Sequence, residues 1–278
     1  MNQGQLKFWL KVLVSAAILF FIFGKIEFSQ VWLELKKTHP GFLFLALASF
    51  ILSQWVSSIR LGLFWRCLKI PLGRTANWRL YLLGMYYNLL LPGGIGGDGY
   101  KLISLNQDYG TKRKDLFLAL LFDRLLGLLA LFLLAALGMS WYFPSPWSLI
   151  PVAVILLIPL AYFILQKTKV DFLPAFPLGL SWSLLIQGLQ ILSAWFILQA
   201  LGLEENVLIY LILFLLSSLA AVIPITLGGA GARELTFVFA GSYFAIDVNA
   251  AIALSLMFYL LTLGVSLAGM YYSFKSYK

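Results

Sequence analysis

Long apolar runs alternate with short polar stretches along this chain of 278 residues. The runs are continuously apolar, which favours helices over the alternating strands of a barrel. Six of them are read as crossings of a hydrocarbon core ~30 Å thick, which takes about 20 residues. They cover 8–23, 41–59, 116–142, 147–165, 178–201 and 248–272, the first and fourth being short and leaning on their flanks. Two further apolar stretches, 76–105 and 206–246, are each broken by glycines. The first break runs Pro92-Gly93-Gly94-Ile95-Gly96-Gly97-Asp98-Gly99-Tyr100-Lys101, and the second runs Pro224-Ile225-Thr226-Leu227-Gly228-Gly229-Ala230-Gly231-Ala232-Arg233-Glu234. Each has a proline, clustered glycines, and then an acid and a base. Broken hydrophobic segments at matching places in two halves point to a transporter's binding site.

Loop charges set the expected topology. Arg60, Arg66, Lys69, Arg74 and Arg79 follow the second run, and Lys112, Arg113 and Lys114 follow the first break. Both groups read as cytoplasmic by the positive-inside rule. The stretch between them then enters and returns on one side. At 1.5 Å per residue its arms, 76–91 and 100–105, reach only ~24 Å and ~9 Å, as a re-entrant hairpin requires. Glu204 and Glu205 read as external, and Lys167, Lys169, Lys275 and Lys278 as internal. The stretch 206–246 becomes a second hairpin entering from the opposite face. The expected fold is an all-α polytopic membrane protein of about six full transmembrane helices plus two re-entrant broken-helix hairpins. It forms a single integral-membrane domain over 1–278, with inverted repeats 1–142 and 147–278. The repeat rests mainly on Gly93-Gly94-Ile95-Gly96 against Gly228-Gly229-Ala230-Gly231, and two unrelated kinks are the alternative.

Composition agrees. The chain is 62% hydrophobic and 11% charged, against about 25% charged in soluble domains. Its net charge of +9 fits basic cytoplasmic loops better than nucleic-acid binding, for which no soluble stretch is long enough. The lone Cys67 excludes an intramolecular disulfide, and His39 sits before Pro40 in a polar loop. Lys7 and Lys11 flank the first run as in a signal peptide, but that run ends Phe23-Gly24-Lys25 without a small-residue cleavage site, so it reads as a retained helix. Gly138, Gly188 and Gly202 read as close-packing contacts between helices.

The breaks carry the candidate chemistry. Irregular backbone inside a membrane is tolerated only where protein buries it or water lines it. The arms starting near Gly99 and Ala232 aim free N–H groups at the breaks, a geometry that binds anions. Lys101 and Arg233 add positive charge in their first turns. Asp98 and Glu234 either cap these arms or pair with Lys101, Arg233 or Arg124. Asp123 and Arg124 lie within the third run, and ionisable residues at depth face the interior. Neighbours on a helix do not face each other, so each pairs with another element, the first hairpin being the nearest candidate, and Arg124 to Asp98 is the specific expectation. Gln187 and Gln190 share a face and either line a cavity or bond between helices. Gly94 to Gly99 formally matches G-x-G-x-x-G but follows a membrane helix rather than a strand, and no Walker A sequence is present.

The string Asn88-Leu89-Leu90-Leu91-Pro92, followed by Gly96-Gly97-Asp98 and Lys101, resembles the lysylphosphatidylglycerol synthase transmembrane-region family, also called flippase-like domain proteins. Asp123-Arg124 and Pro224 with Gly228-Gly229, Gly231 and Arg233-Glu234 strengthen the resemblance, which covers nearly the whole chain. The family pattern has Arg where Lys101 stands. The resemblance implies a membrane domain that moves aminoacylated phospholipids between leaflets when joined to a synthase domain. The chain ends at Lys278, which leaves no room for that domain, so headgroup translocation alone is expected.

The leading expectation is a flippase-like transporter of the bacterial inner membrane with cytoplasmic termini. It would move a phosphate-containing lipid headgroup, either of a phospholipid, aminoacylated or not, or of a polyprenyl phosphate. The expected substrate-binding set is Asn88, Gly96, Gly97, Asp98, Lys101, Asp123, Arg124, Gly228, Gly229, Gly231, Arg233 and Glu234. No catalytic residue, metal or cofactor is expected, and the substrate is a membrane lipid. A second copy of the chain or a separate lipid-modifying enzyme are the candidate protein partners. Two alternatives stand: an integral-membrane enzyme acting on lipid-linked substrates, in which Asp98 and Asp123 hold a divalent metal, and an ion-coupled carrier of small solutes.

Overall fold

A computed structural model describes residues 38–90, 96–142, 172–222, 232–244 and 246–274, together with Lys36, Tyr277 and positions scattered between 149 and 162. The expected helix at 8–23, much of 147–165, and both glycine-rich tips lie outside the described residues. The described residues are helical with no strand. The helices are α1 (Pro40–Cys67), α2 (Arg74–Leu90), α3 (Gly96–Tyr109), α4 (Arg113–Tyr142), α5 (Phe176–Ala200), α6 (Val207–Val222), α7 (Ala232–Phe244) and α8 (Val248–Ala268). A single turn, α9 (Met270–Ser273), continues α8, and a short 3-10 turn at Leu173–Ala175 leads into α5. By length and composition α1, α4, α5 with its leading turn, and α8 with α9 can each cross a membrane. The chain is a membrane-spanning helical protein.

Two boundaries differ from expectation. α1 runs on to Cys67 rather than stopping at 59, because Arg60 is an interior residue, only 7% exposed, and not the first residue of a loop. α3 runs to Tyr109 rather than 105. Its polar end at Asn106–Asp108 continues the helix until Gly110, at φ +67, ends it by accepting a left-handed conformation, with its N–H bonded to the Asn106 carbonyl. The return arm of the first hairpin is therefore ~21 Å long and comparable with the first arm.

α1 and α5 form the most extensive pairing, and they run antiparallel. The His39 N–H donates to the Ala200 carbonyl at 2.9 Å, and the Ser193 hydroxyl donates to the Ala46 carbonyl at 2.8 Å. Further along, Arg60 meets Ser183. The start of one helix thus lies at the end of the other. Since α2 follows α1 and α6 follows α5, the α2–α3 hairpin enters from one end of the bundle and the α6–α7 hairpin from the other. Among the described residues, the packings of the eight longer helices, within and between the halves, have counterparts when the halves are exchanged. α3 lies on α4 as α7 lies on α8, α4 lies on α6 as α8 lies on α2, and α1 lies on α4 as α5 lies on α8. Glycines mark the equivalent crossings. A Cβ at Gly138 of α4 would meet Ile212 of α6 at 2.8 Å, and one at Gly269, just after α8, would meet the Leu82 carbonyl of α2 at 2.1 Å.

Gly138 is therefore the close-packing contact expected of it. Gly188 is not, since nothing lies within 4 Å of its Cβ position. Gly202 is not either. It sits at φ +72 past the end of α5, where Leu203 N–H bonds to Leu198 and Gly202 N–H to Gln199. That is a Schellman stop, which glycine serves by its backbone freedom rather than its small size.

The apolar core has two main parts. One joins α1, α5, α6, α7 and α8 around Phe50, Phe214, Phe237 and Phe258. The other joins α1, α2, α3, α4 and the start of α5 around Phe64, Trp65, Leu80, Leu105 and Leu116. Several polar groups in these regions bond internally, as a bilayer setting favours. The Trp65 indole N–H donates to Asn77 at 3.1 Å, and the Ser57 and Ser218 hydroxyls donate to carbonyls one turn back.

Candidate functional site

The first hairpin is closed by glycine. A Cβ on Gly97 would sit 2.0 Å from the Gly84 carbonyl oxygen, so the backbones of α2 and α3 touch there. Just beyond, the Asn88 side chain on α2 accepts the Gly97 N–H at 2.8 Å. Asn88 thereby satisfies one of the orphan donors at the start of α3. Tyr87 and Tyr100 stack across the two arms with ring centroids 4.5 Å apart.

This closure sets the first turn of α3 against α4. The Asp98 carboxylate accepts from Arg124 at 2.5 Å and from Lys101 at 3.2 Å, one oxygen to each. The expected pairing of Arg124 with Asp98 is present. Lys101 is buried, lies 4.9 Å from the centre of the Tyr81 ring, and passes over Gly84, where a Cβ would meet its Cε at 2.6 Å. Glycine at 84 thus makes room both for the α3 backbone and for the lysine. The Arg124 side chain, by contrast, keeps 47% of its surface exposed. Two cations thus share one carboxylate, Lys101 from the buried side and Arg124 from the exposed side.

Asp123 turns the other way. Arg60 of α1 grips it with two parallel bonds, Nε to Oδ1 at 2.8 Å and Nη2 to Oδ2 at 2.9 Å. The remaining nitrogen of Arg60 donates to the Ser183 hydroxyl of α5 at 2.8 Å. Gly127, one turn along α4, gives the guanidinium its space, since a Cβ there would lie 3.1 Å from Nη1. The expectation that the first hairpin is the partner of Asp123 is corrected: the partner is Arg60, which loop-charge counting had placed outside the membrane. Tyr81 belongs to the same polar interior, its hydroxyl donating to Gln54 at 3.2 Å.

The second half repeats the scheme with different chemistry. Glu234, in the first turn of α7 and buried, accepts the Ser255 hydroxyl of α8 at 2.7 Å. An acid near the start of the return arm thus bonds the following long helix in both halves, Asp98 to Arg124 and Glu234 to Ser255. Arg233 lies over the Phe214 and Phe258 rings at 5.7 and 5.2 Å, a cation–π contact worth up to about 2 kcal/mol when desolvated.

Gly96 is the first residue of α3. The structure therefore brings Asn88, Gly96, Gly97, Asp98, Lys101 and Arg124 to the first hairpin, puts Asp123 on the neighbouring face of α4, and puts Arg233 and Glu234 at the second. Gly228, Gly229 and Gly231 lie outside the described residues. Arg60, Ser183, Tyr81 and Ser255 were not anticipated. The signal for Arg60 was its spacing behind Ser49, Ser53 and Ser57, which puts all four on one face of α1.

Beside the Arg124 turn, Leu125, Leu128, Leu129 and Phe132 of α4 and Leu219 of α6 line an apolar groove of about 340 Å³. Charged residues at a hairpin tip thus adjoin a surface suited to hydrocarbon.

No curated protein and no solved structure matches the chain. The family model described as the lysylphosphatidylglycerol synthase TM region matches residues 8–176 and 166–269. The match extends over nearly every described helix, and the chain belongs to the lysylphosphatidylglycerol synthase transmembrane-region family, a family of membrane domains.

Proposed function

We propose that this protein is a flippase-like transporter that carries a phosphate-containing lipid headgroup across the bacterial inner membrane, with cytoplasmic termini and halves 1–142 and 147–278 acting as inverted repeats. The observation that carries the reading is the Asp98 cluster. Two cations, Lys101 and Arg124, meet the Asp98 carboxylate in the first turn of α3, and Arg124 keeps 47% of its side chain exposed. An exposed guanidinium held in place by a carboxylate is a ready contact for the oxygens of a phosphate. The groove along Leu125, Leu128 and Phe132 begins at the same turn, so a headgroup on Arg124 leaves room for its chain on apolar surface. A soluble anion has no use for that groove. Asp98 holds both cations in place and also offers a carboxylate to the amine of an aminoacylated headgroup. Lys101 sets the charge from behind, and Arg124 makes the contact.

The test is headgroup exposure in proteoliposomes containing phosphatidylglycerol, its lysyl derivative or a polyprenyl phosphate. Arg124→Ala is compared with wild type after both are shown to be folded. Selective movement of one headgroup, lost in the variant, is the expected result. Equal slow scrambling by both proteins with every lipid would overturn the proposal. Uptake of inorganic phosphate in place of lipid movement would move the site to a solute carrier.

A further inference from the structure

Among the described residues the two ends are electrically opposite, and one lysine occupies a backbone position that works against its own side chain. At the end where the first hairpin enters, the described residues carry seven bases (Arg66, Lys69, Arg74, Arg79, Lys112, Arg113 and Lys114) against two acids, Asp108 and Asp115. All but Arg79 among those bases are exposed. At the other end, around the base of the second hairpin, stand exposed Glu204, Glu205 and Asp247, with Lys36 as a described base. The positive-inside rule accounts for bases on one side but asks nothing of acids on the other.

Lys69 sharpens the contrast. α1 ends in a Schellman stop. Ile70 N–H bonds to Trp65 and Lys69 N–H bonds to Arg66, both at 2.9 Å, while the buried Ile70 and Trp65 side chains share one apolar cluster. The stop puts Lys69 at φ +58. The equivalent position after α5 is Gly202, at φ +72. One half thus uses the residue that adopts this conformation freely, and the other uses a side chain that is strained there. The strain has no return in packing, because Lys69 is exposed. What the position gains is a charge on the loop between α1 and α2, within the basic end. Strain of this kind is an indicator of function.

We infer that the basic end is a binding surface for the anionic lipid headgroups of the leaflet it faces, with Lys69 as a principal contact. Basic residues at a membrane surface each strengthen binding to anionic lipid about fivefold. The surface gathers anionic lipid around the base of the first hairpin, and the acidic end does not. It binds whether or not the protein moves lipid, so it stands apart from the transport reading.

The test uses the full chain purified in detergent, with phosphatidylglycerol and phosphatidylcholine retention titrated by native mass spectrometry. Lys69→Gly is the informative variant, because glycine fits the left-handed position and the fold is kept or made more heat-resistant. It should bind phosphatidylglycerol about fivefold more weakly, and the triple variant Lys69→Gly, Arg74→Gln, Arg113→Gln about a hundredfold. Added salt should weaken the wild type toward the triple variant, and Glu204→Gln with Glu205→Gln should leave binding unchanged. Phosphatidylglycerol binding as tight in both lysine variants as in wild type would overturn the inference, as would equal retention of the two lipids. Full displacement by inositol hexakisphosphate at matched charge would show a site for soluble polyanions and would also overturn it.

Discussion

Arg60 and Asp123 offer a quantitative test of how the interior is held. The pair is bidentate at 2.8 and 2.9 Å, with Arg60 at 9% and Asp123 at 13% side-chain exposure. Arg60→Met leaves the Asp123 carboxylate desolvated without its cation, and Asp123→Leu leaves the guanidinium with only Ser183 among its bonds. Breaking a buried pair from one side costs about 3–5 kcal/mol. Replacing both members with apolar residues of similar volume is often neutral or better, because no charge is stranded. The double variant should therefore be more stable than either single one, with a coupling energy of at least about 2 kcal/mol between the sites. In heat-unfolding of the detergent-purified protein, each single change should lower the midpoint by on the order of 10 °C, at roughly 2–4 °C per kcal/mol. The double should recover most of that. The Ser183 bond limits the recovery, since its hydroxyl loses a donor but keeps its own bond to the Gly179 carbonyl at 2.8 Å. Additive losses in the double variant would refute the account, and so would a harmless Arg60→Met.

Three further outcomes follow from the geometry. Gly97→Ala forces a methyl against the Gly84 carbonyl, a backbone atom that cannot rotate away, and should cost about 2–3 kcal/mol; Gly99→Ala, with open space at its Cβ, should be neutral or gain up to about 1 kcal/mol, and equal midpoints for the two would contradict the close approach. Asn88→Ala removes the cap on Gly97 and should cost about 1 kcal/mol, read as faster amide hydrogen exchange at the start of α3, whereas unchanged exchange would dismiss the cap. Burial and then the hydrogen bond to Asp108 hold the Tyr277 phenol above the ordinary tyrosine range, so the folded protein binds that proton more tightly than the unfolded chain does. The stabilisation is complete below about pH 10 and is lost as pH rises beyond the unfolded value. Heat-unfolding scans from neutral to strongly alkaline pH should show a smaller loss in Tyr277→Phe than in wild type, and parallel curves would count against the contact.

Much of this architecture is legible because bilayer physics leaves so few solutions. Continuous apolar runs, basic loops and two glycine breaks lead to long helices and opposed hairpins, and the four helices that meet the length and composition of a crossing coincide with expected runs. Arg124 to Asp98 was readable because a charge at depth must find an opposite charge, and the hairpin supplied one. Arg60 was misread for the opposite reason. It begins a series of bases, and charge counting cannot separate the last interior residue from the first loop residue. The serine spacing behind it held the answer. The end of α3 was placed four residues early because Asn106, Gln107 and Asp108 look like loop residues, yet the helix stops only where Gly110 supplies a left-handed turn. The proposed repeat has a clearer mark than the glycine strings. Gly138-Met139 and Gly269-Met270 lie 14 residues beyond Arg124 and Ser255 respectively, and the reason for that spacing shows only when the packing is seen. The chemistry of the second half, a serine opposite Glu234 and rings beneath Arg233, follows from tertiary neighbours that no local pattern specifies.

That spacing has a mechanical meaning. Arg124, Leu131, Ala135 and Gly138 follow one another at 7, 4 and 3 residues, so they form a single stripe along α4. The first hairpin is fastened to the stripe at Arg124, and the second rests on it at Leu131, Ala135 and Gly138 through Leu215 and Ile212. The distance between the two fastenings is a length of helix, ~21 Å for 14 residues, and not a length of loop. A helix is stiff along its axis, and the Arg60 grip on Asp123 also holds α4 against rolling. A displacement of α4 at either fastening is therefore delivered to the other. The α4 helix is a tie rod in this sense: both hairpins are set against one rigid member.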